Sequence, residues 1–404
     1  MKTVQEFIRE NTDKCVRTNQ SDNDTLIGLP NPYSVPCISD TFQEMYYWDT
    51  YFTNIGLLIE GDIQQAKYNA ENIAFLIRKY GFMPNGSRTY YLRRSQPPFF
   101  SEMVLDVYEC TKDLEWLGSI VDAVETEYDF WCKNRMTPTG LVQYSPVLKQ
   151  EDTERLYNYF VDRVGADVSG ATKEDVAKTT LIGCESGWDF TPRWGVKSGD
   201  FVQIDLNSLI AKMLKNLEYF SRLLQNCKEE YYGSKARNYT ELMRKYMKNS
   251  QGMFMDYDFC NDKPGEIFSA ASFYPLAFNL VTKEEADITI KNLFRIEQKH
   301  GISACEKYDV SGIFQWHYPN GWAPLQYIVI KGLMNYGYSE DAERIAKKYK
   351  DLVDENFKTT GNIWEKYNVA DGSTDVTNEY DMPAMLGWTS GVYLFCKHIL
   401  DGQK

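Results

Sequence analysis

Leu117-Gly118-Ser119-Ile120-Val121-Asp122-Ala123-Val124-Glu125-Thr126-Glu127-Tyr128-Asp129-Phe130-Trp131 sets Leu117, Ile120, Val121, Val124, Tyr128 and Trp131 at steps of three and four residues. That spacing draws one apolar stripe along a helix. Leu206, Leu209, Ile210, Met213, Leu214, Leu217 and Phe220 repeat the pattern behind Asp205, a candidate N-cap. Thr282 and Glu285 form a capping box ahead of Ile288, Leu293 and Ile296. Further helical patterns cover 63–80, 323–338, 342–353 and 389–400. Sustained two-residue alternation is almost absent, which argues against a large sheet.

Between these stretches lie loops rich in Gly, Pro, Asn and aromatics, at 81–100, 183–194, 314–324 and 363–387. A long all-helical chain with its conspicuous chemistry in alternate connections points to paired helices closing into a double ring. A bundle or a solenoid is the competing arrangement, and no fixed-period repeat supports the solenoid. No linker or low-complexity tract divides the 404 residues, so the chain reads as a single domain over 1–404 with residues 1–26 as an N-terminal extension or capping helix.

A formal charge of -13 with no dense basic cluster argues against nucleic acid or an anionic membrane as partner. The nine cysteines are scattered and never adopt a Cys-x-x-Cys spacing; they read as reduced, mostly buried thiols. Residues 1–17 are charged throughout, unlike a signal peptide, and no run of eighteen apolar residues occurs. The expectation is a soluble, cytoplasmic monomer with no cofactor and no metal, since His-x-x-x-His, aspartate-rich calcium and glycine-rich phosphate loops are missing from the sequence.

Aromatic residues make up 15% of the chain, a mixture that suits both core packing and the stacking of pyranose faces. Four segments join Trp or another aromatic to carboxylates and turn residues. The first holds Trp48-Asp49, which could equally end one helix and cap the next. The second, Gly81 to Phe100, offers Asn85, Arg94 and Gln96, side chains that grip vicinal hydroxyls in fixed geometry. In the third, Glu185 to Trp194, Asp189 lies between aromatics that disfavour its ionised form, and Gly187 lets backbone approach a ligand. The fourth gathers Gln315-Trp316-His317-Tyr318-Pro319-Asn320-Gly321-Trp322, then Glu365 between Trp364 and Lys366, then Glu379.

Together these segments resemble the trehalase family, from about Ile27 to Val392. The most specific matches are the Pro-Asn-Gly, double Tyr and Arg-Ser-Gln-Pro-Pro-Phe-Phe features of 81–100 and the Gln-Trp-x-x-Pro-Asn-Gly-Trp-Ala-Pro-Leu-Gln block of 315–326. The resemblance implies an (α/α)6 barrel and inverting hydrolysis of a small neutral α-glucoside, α,α-trehalose first. It places the general acid at Asp189 and the general base at Glu365. The sugar contacts it implies are Trp48, Asp49, Asn85, Arg94, Ser95, Gln96, Gly187 and Glu379, to which the motifs add Trp188, Gln315, Trp316, Asn320 and Trp322. Inversion needs room for a water, so the two catalytic carboxyl groups should stand about 6.5–9.5 Å apart.

Three positions depart from the family pattern. Thr41 occupies the slot of a sugar-contacting Arg, the family's Arg-Pro-Glu triplet finds only Arg155-Leu156-Tyr157, and His317 replaces an Asp. Losing such contacts shifts substrate preference more readily than reaction type, so another small α-glucoside is the second expectation. A non-catalytic sugar-binding protein is the third, and isomerisation or elimination through His317 the fourth.

Overall fold

In the computed structural model, residues 2–39, 41–377, 379–384 and 387–402 are described. The stripe read at 117–131 forms the centre of a longer helix. In chain order the helices are α1 (Val4–Asn11), α2 (Tyr47–Glu60), α3 (Ile63–Tyr80), α4 (Phe100–Thr111), α5 (Leu114–Asn134), α6 (Thr153–Val164), α7 (Lys173–Ser186), α8 (Ile204–Leu224), α9 (Glu229–Tyr246), α10 (Tyr274–Ala277), α11 (Lys283–Ile290), α12 (Ala323–Asn335), α13 (Ser339–Thr360) and α14 (Gly387–Leu400). Strands among the described residues are two or three residues long and join only loops.

Packing closes six of these helices into a ring. Helix α2 lies against α4, α4 against α8, α8 against α10, α10 against α12, α12 against α14, and α14 returns to α2. The outer layer alternates with it: α3 and α5 pack together and on α4, α9 on α8, and α13 on α12 and α14. Helix α11 joins that layer through Arg244 of α9, whose Nε donates to Glu285 at 3.1 Å. Helix α1 completes it, packed on α13 with Phe7 and Phe357 ring centroids 5.1 Å apart. This is the double ring of an (α/α)6 barrel.

Composition explains the layering. The inner helices α2, α12 and α14 are apolar on nearly every face, as a helix surrounded by others must be, whereas α13 buries one stripe, Ala342, Ile345, Ala346, Tyr349, Leu352 and Val353. One apolar cluster runs through both layers from Val4 to Cys396. Helices α6 and α7 stand outside the ring count as a hairpin between α5 and α8, with a small core of their own around Phe160, Val164, Val176, Phe190 and Phe314.

Several local expectations change. Asp205 does not cap α8: Gln203 holds the N-cap position, and Asp205 lies buried one residue inside the helix, accepting from Arg193 and Tyr144. The capping box at Thr282 and Glu285 forms, yet α11 ends at Ile290 and the pattern continues only as a short 3-10 turn at Leu293–Arg295. Just beyond that end, the Asn292 side chain donates to the Ile288 carbonyl at 2.9 Å. The cysteines are all unpaired, but only Cys15, Cys37, Cys305 and Cys396 are buried, and Cys110, Cys227 and Cys260 are exposed. No helix is long and apolar enough to cross a membrane among the described residues.

Candidate active site

Four of the six inner helices, α2, α4, α12 and α14, turn their N-terminal ends towards one pocket. Trp48 and Asp49 sit in the first turn of α2, Arg94 and Gln96 precede α4, Trp322 is the N-cap of α12, and Trp388 lies in the first turn of α14. The pocket is a cavity of about 160 Å³. Of the residues named from sequence, Trp48, Asp49, Asn85, Arg94, Gln96, Gly187, Asp189, Gln315, Trp316, Trp322, Glu365 and Glu379 line it. Asp189 and Glu365, remote from each other in the chain, thus share one cavity.

Ser95, Trp188 and Asn320 do not line it. The Ser95 amide donates to Glu185 Oε1 at 2.9 Å and its hydroxyl to the Met83 carbonyl at 2.7 Å, so it shapes the loop from behind. Trp188 turns away to pack on Trp316, ring centroids 5.1 Å apart, and on the Arg193 guanidinium. Asn320 donates to the Gln315 carbonyl at 2.8 Å and the Thr377 carbonyl at 3.3 Å, bracing the strand that carries Trp322. Conversely, Phe42, Tyr46, Tyr91, Cys184, Tyr380 and Trp388 line the pocket and were not singled out from sequence. Their signal was adjacency: Tyr46, Tyr91, Cys184 and Tyr380 each lie within a turn of a named motif position.

A tryptophan floor supports the pocket. Trp316 and Trp322 stack at 3.9 Å with planes 3° apart, and Trp48 packs against Trp316 at 5.7 Å. Gly187, at φ +73°, ends α7; a Cβ there would stand 2.6 Å from Trp48 Cζ2, so only glycine lets the chain turn over the indole and deliver Asp189. Glu185, just before it in α7, is fully buried and holds Arg135 at 2.8 Å together with the amides of Ser95 and Ser145. It ties the Arg94–Gln96 loop to the helix that precedes Asp189.

Behind the 187–194 turn lies a buried charge network. Arg193, with no exposed side-chain surface, donates to Asp205 at 2.6 Å and to Asp256 at 2.8 Å, and Trp194 Nε1 donates to Asp256 at 2.9 Å. Removing the cation leaves two buried carboxylates facing each other, and breaking a buried pair costs about 3–5 kcal/mol. Arg193→Met is therefore expected to lower unfolding stability by about that amount, measured by urea denaturation at neutral pH.

The carboxylates of the pocket differ in surroundings. Burial raises the Asp189 pKa above its ordinary value, against opposing pulls from Cys184 and Arg94. Burial also lifts Asp49 to about 7, with the Glu365 charge adding to it; the helix N-terminus it occupies does not offset this. Glu379 is raised by burial and then by the charge of Asp189. Glu365 instead has a buried counter-ion: Lys366 Nζ donates to Oε2 at 2.7 Å, and the Tyr380 hydroxyl donates to Oε1 at 2.5 Å. Trp388 Nε1 fixes its backbone, donating to the Glu365 carbonyl at 3.1 Å, and the strand Lys366–Asn368 pairs with Asn320–Trp322.

Groups suited to hydroxyls surround them. Gln96 Oε1 accepts from the Trp48 amide at 3.3 Å, leaving its NH2 available, while Arg94 Nε is buried without a protein partner among the described residues. Gln315 and Glu379 exchange hydrogen bonds at 3.2 Å, and Tyr159 of α6 donates to Glu379. Arg155 does not supply the missing triplet: it is exposed and paired with Asp152 at 3.1 Å. Thr41 lies outside the pocket, and His317 is turned away with its Nε2 3.0 Å from the Tyr308 carbonyl, which leaves it no part in proton transfer here.

Residues 1–400 match the family model described as Trehalase. The chain belongs to the trehalase family. Its relatives include a periplasmic trehalase of Pseudomonas aeruginosa, 31% identical over 395 residues that cover 92% of this chain and 71% of the relative. The neutral trehalase of Saccharomyces cerevisiae superposes with a TM-score of 0.78 at 27% identity, covering 98% of this chain and 80% of that one. A GH63 mannosylglycerate hydrolase from Thermus thermophilus shares the fold alone, with a TM-score of 0.68 at 14% identity over 98% of this chain and all of the other. Like its family, this trehalase-family chain is a glycoside hydrolase.

Proposed function

We propose that the chain hydrolyses α,α-trehalose to two glucoses with inversion, Asp189 acting as general acid and Glu365 as general base. The observation that carries this reading is the contrast between two carboxyl groups in one pocket. Burial raises the pKa of Asp189, which favours the protonated form that serves the leaving oxygen, while Glu365, held by Lys366 and Tyr380, presents a fixed acceptor for a proton from water. Water attacks C1 as the Asp189 proton passes to the glycosidic oxygen, and the water's own proton goes to Glu365. Trp48, Asp49, Asn85, Arg94 and Gln96 bind the ring that is cleaved; Gln315 and Glu379 receive the departing sugar. Neither step calls for a metal or cofactor.

The substrate experiment is glucose release from trehalose and a panel of α-linked glucobioses. Trehalose is expected to be cleaved with the highest kcat/KM; preference for another member would support the second reading, an α-glucosidase of the same mechanism. That reading draws on the Thr41 replacement and the outward Arg155. A protein that binds trehalose and releases no glucose would overturn catalysis altogether.

Raised acid pKa values fix the sign of the pH dependence. The acid must be protonated, so activity is present below the folded-state pKa of Asp189 and lost as pH rises through it. Arg94 holds that pKa down by its charge, so Arg94→Met is expected to move the alkaline limb of kcat/KM to higher pH while lowering its height. A limb that stays in place would detach it from Asp189.

We also propose that the chain is one domain, on the strength of the continuous apolar cluster, that it is cytoplasmic, on the strength of nine unpaired thiols, and that it acts as a monomer on a neutral sugar. The Pseudomonas relative is periplasmic, so fractionation of the native host is the deciding assay for compartment.

A further inference from the structure

Helices α6 and α7 add nothing to the closure of the ring, yet their small core takes in one residue of the turn that carries Asp189. Phe190 follows Asp189 directly and is 7% exposed, but it does not line the pocket; its ring enters the core formed with Phe160, Val164, Val176 and Phe314. Its centroid stands 6.1 Å from that of Phe160 and 5.6 Å from that of Tyr159, both on α6. The Arg163 guanidinium, also on α6, lies over the same ring at 5.7 Å.

The backbone at Phe190 is strained. Its φ of +56° lies in the left-handed region, where Cβ crowds the carbonyl and bulky side chains are rare. Such a conformation persists only where the surroundings over-determine it, and these positions cluster at functional sites. Two holds determine it here: the hairpin core grips the ring, and the Phe190 carbonyl accepts from the Trp316 amide at 3.2 Å. Gly187, at φ +73°, and Phe190 thus bracket Trp188 and Asp189 with two left-handed residues, and between them the Asp189 side chain reaches the cavity. Without its anchor a phenylalanine would relax to an ordinary φ and carry the neighbouring carboxyl with it.

We propose that Phe190 is a positioning residue for the general acid and that the α6–α7 hairpin is the clamp that holds it: the hairpin core grips the Phe190 ring, keeps the strained turn in place and so fixes the Asp189 carboxyl against the glycosidic oxygen. The proposal rests on the reading of Asp189 as the acid.

The test measures kcat and KM on trehalose and on α-glucosyl fluoride, whose leaving group needs no proton, for Phe190→Ala alone and combined with Asp189→Asn. In Phe190→Ala, kcat on trehalose is expected to fall about 10²-fold, the scale of about a 1 Å misplacement of a reacting group. KM should change little, because the ring does not line the pocket. On the fluoride, kcat should stay within about threefold of the wild type. Added to Asp189→Asn, the same truncation should cost nothing further on trehalose, since both changes remove one function. The hairpin core is separate from the apolar cluster of the barrel, so the truncation leaves the barrel's own core whole. Should Phe190→Ala nonetheless fail to fold, Phe160→Ala, which removes the ring behind Phe190 from α6, is judged by the same comparison. Unchanged kcat on trehalose, an equal loss on both substrates, or a further loss in the Asp189→Asn background overturns the clamp while leaving the acid where it is. If Asp189→Asn by itself loses trehalose and fluoride equally, the acid reading fails, and the clamp falls with it.

Discussion

Asp189→Asn is expected to lower kcat on trehalose by about 10³-fold, some 4 kcal/mol of transition-state stabilisation, while the affinity for substrate changes little. The amide is isosteric and keeps the hydrogen-bonding reach of the side chain, but it has no acidic proton for the glycosidic oxygen. Burial raises the pKa of the carboxyl at this position by disfavouring its charged form, so a neutral amide should not disturb folding. Stopped-assay kinetics and equilibrium titration with trehalose check the two halves. A substrate with a good leaving group, such as α-glucosyl fluoride, needs no protonation, and the variant should recover much of the loss on it. Equal loss on fluoride and trehalose would take the acid role away from Asp189.

Glu365→Gln should show a similar fall in kcat, by about 10²–10⁴-fold, with a different signature. Fluoride will not rescue it, because what is missing is activation of the nucleophile. Added azide, a nucleophile that carries no proton to remove, should restore turnover and give the β-glucosyl azide. The substitution also strips Lys366 of its counter-ion where both side chains are almost wholly buried. A stability loss of about 3 kcal/mol or more is therefore expected alongside, so the assay must be run well below the lowered melting temperature. Azide that fails to rescue a folded variant would count against Glu365 as base.

The helical stripes were legible because packing in two layers imposes a 3.6-residue period on the outer ring and near-uniform apolarity on the inner one. Helix α3 matches its sequence pattern at both ends because Asp62 caps its start and Gly81, in the left-handed conformation, ends it. Asp205 misled for a physical reason: an aspartate ahead of an apolar run reads as a cap, and only the distant Arg193 and Asp256 reveal it as a buried partner. The α6–α7 hairpin was not read from the sequence, since α7 buries Val176, Ala177, Thr179, Thr180, Ile182 and Gly183 on several faces and shows no single apolar stripe.

The site was legible where motif residues face the cavity and obscure where they serve the scaffold. Ser95, Trp188 and Asn320 sit inside specific motifs, yet their polar groups or rings point into the wall. Tyr380 was missed although it follows Glu379 directly, because a tyrosine in so aromatic a chain carries no distinguishing mark until its hydroxyl is seen on Glu365. Thr41 was visible as a departure, but its place outside the pocket, on the wall of a neighbouring concavity, needed three dimensions.

The most direct test of paired action by Asp189 and Glu365 is proton NMR of the first turnovers on α,α-trehalose, faster than mutarotation. Inversion at the attacked carbon predicts equal initial amounts of β-glucose, from the ring cleaved, and α-glucose, from the ring released. Appearance of α-glucose alone would contradict a water delivered by Glu365 from the face opposite Asp189.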